Sequence, residues 1–208
     1  MSWLESLGDW WTRHRDPWGG SRYRRGPDGD GLFAEQTGAP AEPFTRTGAE
    51  WELRVMPLAR FTVRARILSR CHYQDDSAAP IAPLDLFVCW GNEWQRGEMH
   101  DFELDHRERR CLLKRRWNGQ FPVESLLKWC ANIHILPATD LLKQPLLAVR
   151  PREIVELEGW LVDVRGRVGR HDDFRWRSSL SREDTGEGSC EVLWLERLHA
   201  RHREWTLG

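Results

Sequence analysis

A cysteine and a histidine in the C-terminal half of the chain have the residue types of a nucleophile and its base. Cys190 lies where a glycine-containing loop enters an apolar segment, and His134 lies in a different apolar segment, ANIHILPA. A thiol becomes nucleophilic when an adjacent imidazole takes its proton and a third polar group orients that imidazole. Asp184 or Asn132 can fill the third place, because triads are defined by geometry and not by order along the chain. These residue types therefore offer a hydrolase or transferase site.

The same two residues also suit a plain structural role. His134 lies between Ile133 and Ile135, and Cys190 borders an apolar strand. A histidine in such a position is commonly a hydrogen-bonded core residue, and a buried cysteine behaves as a small, unreactive hydrophobe. The residue types therefore leave open whether the protein is an enzyme.

The polar segment SSLSREDTGEGSCE, residues 178–191, contains Cys190. Asp and Gly favour a tight turn, and successive backbone N–H groups over residues 186–190 can form a concave site for anions. A single Asp-Thr-Gly triplet does not predict an aspartic protease, which needs two carboxylates that share a proton. We interpret the segment as a ligand-binding loop, with a polar turn between two strands as the alternative. The candidate ligand-binding residues are Arg177, Ser178, Ser179, Arg182, Asp184, Thr185, Gly186 and Gly188.

A cluster of basic residues lies in RERRCLLKRRW, residues 107–117. Basic side chains neutralise phosphates and an aromatic ring stacks on bases, so this segment has the groups that bind single-stranded nucleic acid. The alternative is a charged edge strand that resists aggregation. The whole chain carries 31 basic and 32 acidic residues, and this balance gives no general attraction to nucleic acid or to an anionic membrane. The candidate nucleic-acid-binding residues are Arg109, Arg110, Lys114, Arg115, Arg116 and Trp117.

No metal or cofactor site is predicted. In the segment MHDFELDH the acidic residues share one face of a strand, while His100 and His106 take the other, which works against a single coordination sphere. The five cysteines are widely spaced without a C-x-x-C pair, which argues against a zinc site or a disulfide scaffold. Free thiols fit a reducing compartment, so we expect a cytoplasmic protein.

The composition is typical of a soluble globular protein with a large share of tryptophan. Charged residues make up 30% and hydrophobic residues 40% of the 208 residues, and 13 residues are tryptophan. A chain of this length buries an adequate core without disulfides or metals. Most of the indole rings are expected to pack in the core or at its edge. The charged N-terminus predicts neither a signal peptide nor a membrane span.

Three segments are predicted along the chain. Residues 1–18 have apolar side chains at helical spacing, which predicts a Trp-rich amphipathic helix that docks on the domain, binds a protein partner or mediates self-association. Residues 19–49 are rich in glycine and proline, which predicts a linker or extended arm. Residues 50–208 contain the folded β domain.

Hydrophobic periodicity predicts the elements of this domain. Residues 60–70 alternate as a half-buried strand, and residues 83–91 form a more continuously apolar one. Residues 153–166 alternate on both sides of Gly159 with a shift of phase, which indicates a β-bulge. Thr139 is the predicted N-cap of a helix. Many strands with one to three short helices predict a mainly β fold, a small antiparallel barrel or sandwich.

The C-terminal third adds a resemblance. The strand VELEGWLVDV, a polar loop, a strand with Trp176 and the closing strand CEVLWLERL resemble the later strands of OB-fold domains such as single-stranded DNA-binding proteins. Together, ANIHILPA, VELEGWLVDV and RWRSSLSREDTGEGSCEVLWLE resemble an uncharacterised family of bacterial proteins, and this resemblance implies no activity.

These observations favour a non-enzymatic binding domain. We expect it to recognise a ligand through residues 178–191 and nearby arginines, with single-stranded nucleic acid as the most concrete case. The rival expectation is a hydrolase or transferase that uses Cys190 and His134. One geometric observation separates the two, because an enzyme requires the thiol within hydrogen-bonding reach of the imidazole in an open cleft.

Overall fold

In a computed structural model the protein is mainly β. The structure describes residues 32–38, 41–90, 101–117, 119, 127–181 and 188–207. Over these residues the chain forms eleven strands and one helix. In the same ranges, no helix combines the length and the apolar character that a membrane crossing requires. The helix predicted for residues 1–18 lies outside the described residues.

The elements are named in chain order. The strands are β1 (Phe33–Thr37), β2 (Phe44–Thr47), β3 (Trp51–His72), β4 (Leu84–Cys89), β5 (Phe102–Arg107), β6 (Arg110–Arg115), β7 (Cys130–Pro137), β8 (Ile154–Val168), β9 (His171–Arg177), β10 (Glu191–Ala200) and β11 (Arg203–Thr206). The helix α1 (Asp140–Ala148) lies between β7 and β8.

The long strand β3 holds a central place in the sheet. Every second side chain from Phe61 to Ile67 is buried, as the alternating sequence predicts. β3 pairs in antiparallel orientation with β1, β2, β4 and β8. Its register shifts between Pro57 and Ala59, and irregularities of this kind bend a strand and increase its twist. A single strand of 22 residues can therefore pair with four neighbouring strands.

Five strands are hydrogen-bonded in a cycle. β3 pairs with β4, β4 with β7, β7 with β10, β10 with β8, and β8 with β3. The contact between β7 and β10 is parallel and the other four are antiparallel. These strands and α1 supply most of the main hydrophobic core. Its large side chains include Trp90, Phe61, Ile67, Leu84, Leu86, Ile133, Ile135, Leu142 and Leu146.

A hairpin of β5 and β6 forms a separate two-stranded sheet beside β4 and β7. Apolar side chains of the hairpin pack against Phe87, Cys89 and Cys130. The two residues of its turn, Glu108 and Arg109, have φ of +51° and +62°. Two left-handed residues match the twist of antiparallel strands, although side chains other than glycine or asparagine rarely adopt them. The hairpin therefore covers the end of β4 and β7 that carries Cys89 and Cys130. Its turn reaches the end that carries Asp85.

Part of the predicted arm is strand. β1 and β2 both lie within residues 19–49, and each pairs with β3. Extended, polar strands at the edge of a sheet resemble a linker in sequence, because only one side of each is paired and little of it is buried. The ordered β structure therefore begins before residue 50.

The bulge predicted at Gly159 lies on the opposite strand. Burial alternates in β8 through Val155, Leu157 and Leu161, without a change of phase at the glycine. The register shift is in β10, between Leu195 and Arg197. A Cβ on Gly159 would lie 1.9 Å from the backbone oxygen of Trp194, so the glycine allows the two backbones to approach closely.

The helix predicted after Thr139 is present as α1. Thr139 is its N-cap in extended conformation, although its side chain makes no capping hydrogen bond. Leu142 and Leu146 bury one face of the helix in the core. The preceding strand β7 ends at Pro137, two residues before this N-cap.

Candidate active site

Alternation along β4 and β7 places polar side chains of both strands on one face. Alternate residues of each strand belong to the main core, so the residues between them point to the opposite face. The antiparallel register then sets these side chains against one another in pairs. The opposed pairs are Asp85 with His134, Phe87 with Asn132, and Cys89 with Cys130.

Cys190 joins this row from the neighbouring strand. β10 runs parallel to β7 with Glu191 opposite Ile133, which sets Cys190 beside Asn132. The Nδ2 of Asn132 donates to Cys190 Sγ at 3.4 Å. The imidazole of His134 lies close enough to this thiol for the two groups to interact electrostatically. The structure thus brings together three of the four residues considered for an enzyme.

A buried carboxylate lies on the other side of the imidazole. His134 Nδ1 is 2.9 Å from Oδ2 of Asp85, and both side chains are almost fully buried. The two groups form an ion pair when the imidazole is protonated, although their angles depart from those of a well-formed hydrogen bond. A buried carboxylate requires charged or hydrogen-bonding partners, because its desolvation is costly. Asp85 therefore occupies the place of the third, orienting group.

Arg109 is the second partner of Asp85 and anchors the hairpin to the site. Its Nη1 donates to Asp85 Oδ1 at 2.9 Å, while its Nε and Nη2 donate to the two oxygens of Asp76 at 2.6 and 2.7 Å. The guanidinium lies over the ring of Tyr73, 3.7 Å from its centroid. The backbone N–H of Arg109 donates to the hydroxyl of Tyr73 at 2.8 Å. These contacts offset the unfavourable left-handed conformation of Arg109.

The contacts shift the pKa values of the imidazole and the thiol in opposite directions. Burial lowers the pKa of His134, but Asp85 and Cys190 outweigh burial and raise this pKa above its usual 6.5. Burial raises the pKa of Cys190, but His134 and Asn132 outweigh burial and lower this pKa below its usual 9.0. Both shifts favour a thiolate–imidazolium pair, which is the reactive form of a catalytic cysteine.

An open pocket of about 700 Å³ gives access to this pair. His134 and Cys190 lie in its wall. The indole ring of Trp176 tilts against the imidazole of His134, with their centroids 4.3 Å apart. The rest of the wall combines aromatic and charged side chains, chiefly Phe174, Asp76, Glu108, Arg109, Arg110, Arg175 and Arg177. A ligand in the pocket would therefore meet aromatic surface and cations beside a nucleophile.

The two serines of the predicted ligand loop face inward. Ser178 Oγ donates to the backbone oxygen of Ser179 at 2.8 Å and accepts from the N–H of Val192 at 3.0 Å. Ser179 Oγ donates to the backbone oxygen of Ser181 at 3.2 Å and accepts from its N–H at 3.0 Å. Buried backbone groups at a turn need such partners, so these hydroxyls hold the base of the loop.

The rest of the predicted loop divides between described and undescribed residues. Arg182, Asp184, Thr185 and Gly186 lie outside the described residues. Gly188 and Arg177 line the pocket. Gly188 has φ +86°, a conformation that favours glycine and turns the chain toward Cys190.

The predicted nucleic-acid segment lies in the turn of the hairpin, in β6 and directly after it. Arg109 is only 16% exposed and serves as the anchor of the hairpin. Asp105 lies near Lys114, and Glu103 lies near Arg116, each at 3.9 Å, so acids of β5 reduce the positive charge of β6. The exposed members of the segment are Arg110, Lys114, Arg115, Arg116 and Trp117.

Two residues that support the site, Asp85 and Asp76, were not among those predicted from the sequence. Asp85 carried a signal, because it is the one carboxylate in the otherwise apolar strand LDLFVC and a buried carboxylate must be paired. Asp76 carried none, because it meets Arg109 only through the tertiary fold. Among the described residues, no group of three or more His, Cys, Asp or Glu side chains could hold a metal ion.

Comparisons with protein-family models, with curated proteins and with solved structures find no match to this chain.

Proposed function

We propose that the protein is a cysteine-dependent hydrolase or acyl transferase. The observation that carries the proposal is that Cys190 and His134 lie together in the wall of an open pocket, with the buried Asp85 2.9 Å from the imidazole. A structural cysteine needs no base and no access to solvent. A nucleophile needs both, together with a group that orients the base.

The residues divide the reaction between them. The Cys190 thiolate attacks the carbonyl carbon of a bound ester, thioester or amide, and protonated His134 donates its proton to the leaving group. His134 then takes a proton from water or from an acceptor molecule, which attacks the acyl-cysteine and regenerates the thiolate. Asn132, whose Nδ2 is 3.4 Å from the sulfur, donates a hydrogen bond to the oxyanion of the tetrahedral intermediate.

Asp85 and Arg109 support His134 without contact to the substrate carbonyl. Asp85 stabilises the protonated imidazole and limits its rotation, because their charged atoms are 2.9 Å apart. Arg109 compensates the buried carboxylate through a charge-assisted hydrogen bond of 2.9 Å. Both residues therefore act as positioning residues.

The proposal includes a fold assignment, in which the five-strand cycle is a small barrel of the OB type. Two features support it: the pairings return to β3, and the helix and the hairpin lie outside the cycle. In OB folds the second and third strands and two loops form the ligand-binding face. Here the corresponding strands are β4 and β7, and the corresponding loops contain Asp76 and Cys190. The pocket lies on that face.

The second candidate is binding without chemistry, with single-stranded nucleic acid as the ligand. The arrangement of Trp176 with Arg175 and Arg177 in the pocket wall favours it, because bases stack on indole rings and phosphates pair with guanidinium groups. It draws no support from the Cys190–His134 contact, and we therefore place it second.

An acylation experiment tests the first candidate. The full chain is incubated with p-nitrophenyl acetate, and the acetylated residue is identified by peptide mass spectrometry at early times. We expect acetyl transfer to Cys190 and its loss in Cys190→Ala, whereas the matched variant Cys111→Ala retains it. Equal nitrophenol release by the parent chain and Cys190→Ala, with no acetyl group on Cys190, would refute the enzyme.

A titration tests the second candidate. Quenching of tryptophan fluorescence by oligonucleotides is measured at two salt concentrations for the parent chain and for Arg175→Gln. Binding that weakens with salt and with the substitution supports a nucleic-acid ligand. Lack of quenching at low salt removes this candidate and leaves the first untouched.

A further inference from the structure

Two other thiols face each other at the far end of the row on β4 and β7. Cys89 and Cys130 are directly opposite in the antiparallel register. Their Sγ atoms are 2.9 Å apart, and their side chains are 0% and 4% exposed. Neither cysteine forms a disulfide in the structure, and the proposed reaction uses neither.

We infer that Cys89 and Cys130 are an oxidation site that closes to a disulfide between β4 and β7. Directly opposed residues of antiparallel strands have Cα atoms about 4.5–5.5 Å apart, and disulfides span about 4.4–6.8 Å. Both side chains already point to the same face. The bond therefore forms without a change of register.

A small cavity gives an oxidant access to this pair. Its volume is about 80 Å³, and Cys130 lies in its wall with Cys111, Asn132 and Cys190. A cavity with polar wall atoms that admits water also admits hydrogen peroxide, which has a similar hydrogen-bonding capacity. Cys130 is therefore the thiol that meets the oxidant, and Cys89 behind it is the resolving thiol.

The oxidation uses hydrogen peroxide as the electron acceptor. The sulfur of Cys130 attacks one peroxide oxygen, the O–O bond breaks, and a sulfenic acid and water form. The sulfur of Cys89 then attacks the Cys130 sulfur, the S–O bond breaks, and the hydroxyl leaves as water with the thiol proton. Two thiols and one peroxide thus give one disulfide and two waters.

The disulfide would join the two strands that carry Asp85 and His134. It would also close a loop that contains the whole β5–β6 hairpin. A cross-link over such a loop stabilises the protein chiefly because it restricts the unfolded chain. We expect the oxidised protein to unfold at a higher temperature than the reduced protein.

The test uses the full chain with Cys190→Ser, which removes the thiol that would react first. Four of the five cysteines remain in this variant. After limited peroxide treatment, the protein is denatured in acid and alkylated with N-ethylmaleimide. We expect two adducts in place of four, recovery of all four with dithiothreitol, and a cross-linked peptide pair that contains Cys89 and Cys130.

Two further variants in this background keep the inference falsifiable. Cys89→Ala should abolish the cross-link and the rise of the unfolding temperature, whereas Cys71→Ala should keep both. Four adducts after treatment, a cross-link to Cys111, or a sulfinic acid on Cys130 without a cross-link would each overturn the inference. None of these results depends on whether Cys190 acts as a nucleophile.

Discussion

Cys190 and Cys111 border the same small cavity, and both are partly buried. Their pKa values nevertheless shift in opposite directions from the ordinary value of a thiol. The pKa of Cys111 is raised to about 12 by burial and by the negative charges of Cys190 and Asp105. Burial acts in the same direction on Cys190, but His134 and Asn132 reverse its effect. The hydrogen-bonding and charged partners of each thiol, more than its burial, therefore decide whether it is a nucleophile.

The largest expected effect comes from removal of the activated thiol. At pH 7, Cys190→Ser should slow the reaction of the folded protein with iodoacetamide by about a hundredfold or more, because Cys89 and Cys130 are buried and burial raises the pKa of Cys111. The rate is measured by intact mass under native conditions. A fast reaction that persists in this variant and maps to Cys111 would show that Cys111, and not Cys190, is the reactive thiol.

The next effect comes from loss of the base. In His134→Asn the pKa of Cys190 should rise toward its ordinary 9.0. Below the pKa, each unit of this rise lowers the thiolate fraction about tenfold, so alkylation at pH 7 slows accordingly. The measurement is the alkylation rate of Cys190 as a function of pH, whose midpoint should move to higher pH.

His199→Asn is the matched control for this substitution. His199 is partly buried in β10 and lies opposite Glu156 of β8 and Glu204 of β11, so it supports the packing of the sheet at the end of β10 away from the thiol. Its substitution should leave the alkylation midpoint of Cys190 in place. An equal shift in both variants would mean that the general packing of the sheet, and not the base of the site, lowers the pKa.

A moderate effect is expected from the anchor behind the base. Arg109→Lys keeps the charge but loses the planar fork that binds Asp76 and Asp85, and should lower the free energy of unfolding by about 1–3 kcal/mol. Denaturant unfolding measures the change, and Arg110→Lys on the exposed side of the same turn is the control. Equal stability of both variants would show that the hairpin needs no such anchor.

The smallest effect is expected from removal of the second thiol, Cys111. Cys111→Ala removes a thiol with a pKa of about 12, which is protonated at pH 7 and contributes no nucleophile. The alkylation rate of the protein at pH 7 should therefore stay within about twofold of the parent. A fall comparable to that in Cys190→Ser would show that the two thiols act as one unit.

The sequence predicted the candidate nucleophile, its base and Asn132, because their residue types and flanking strands are visible locally. It offered Asp184 or Asn132 as the group that orients the imidazole. Asp184 lies outside the described residues, and the structure sets Asp85 against His134. Asp85 follows the loop after β3 in the chain, and only the β4–β7 register shows which side chain it meets. The sequence does not distinguish an inward hydroxyl from an outward one, so the backbone hydrogen bonds of Ser178 and Ser179 are visible only in the structure.

By itself, the sequence determined that the chain is mainly β and which side chains of β3 from Phe61 to Ile67 are buried, since alternation depends only on neighbours along the chain. The tertiary structure alone decided which strands pair, and thereby brought a carboxylate, an imidazole and a thiol from three strands into contact. Register and burial are collective properties of the packed sheet. They set the pKa of Cys190, and no local stretch of residues contains that information.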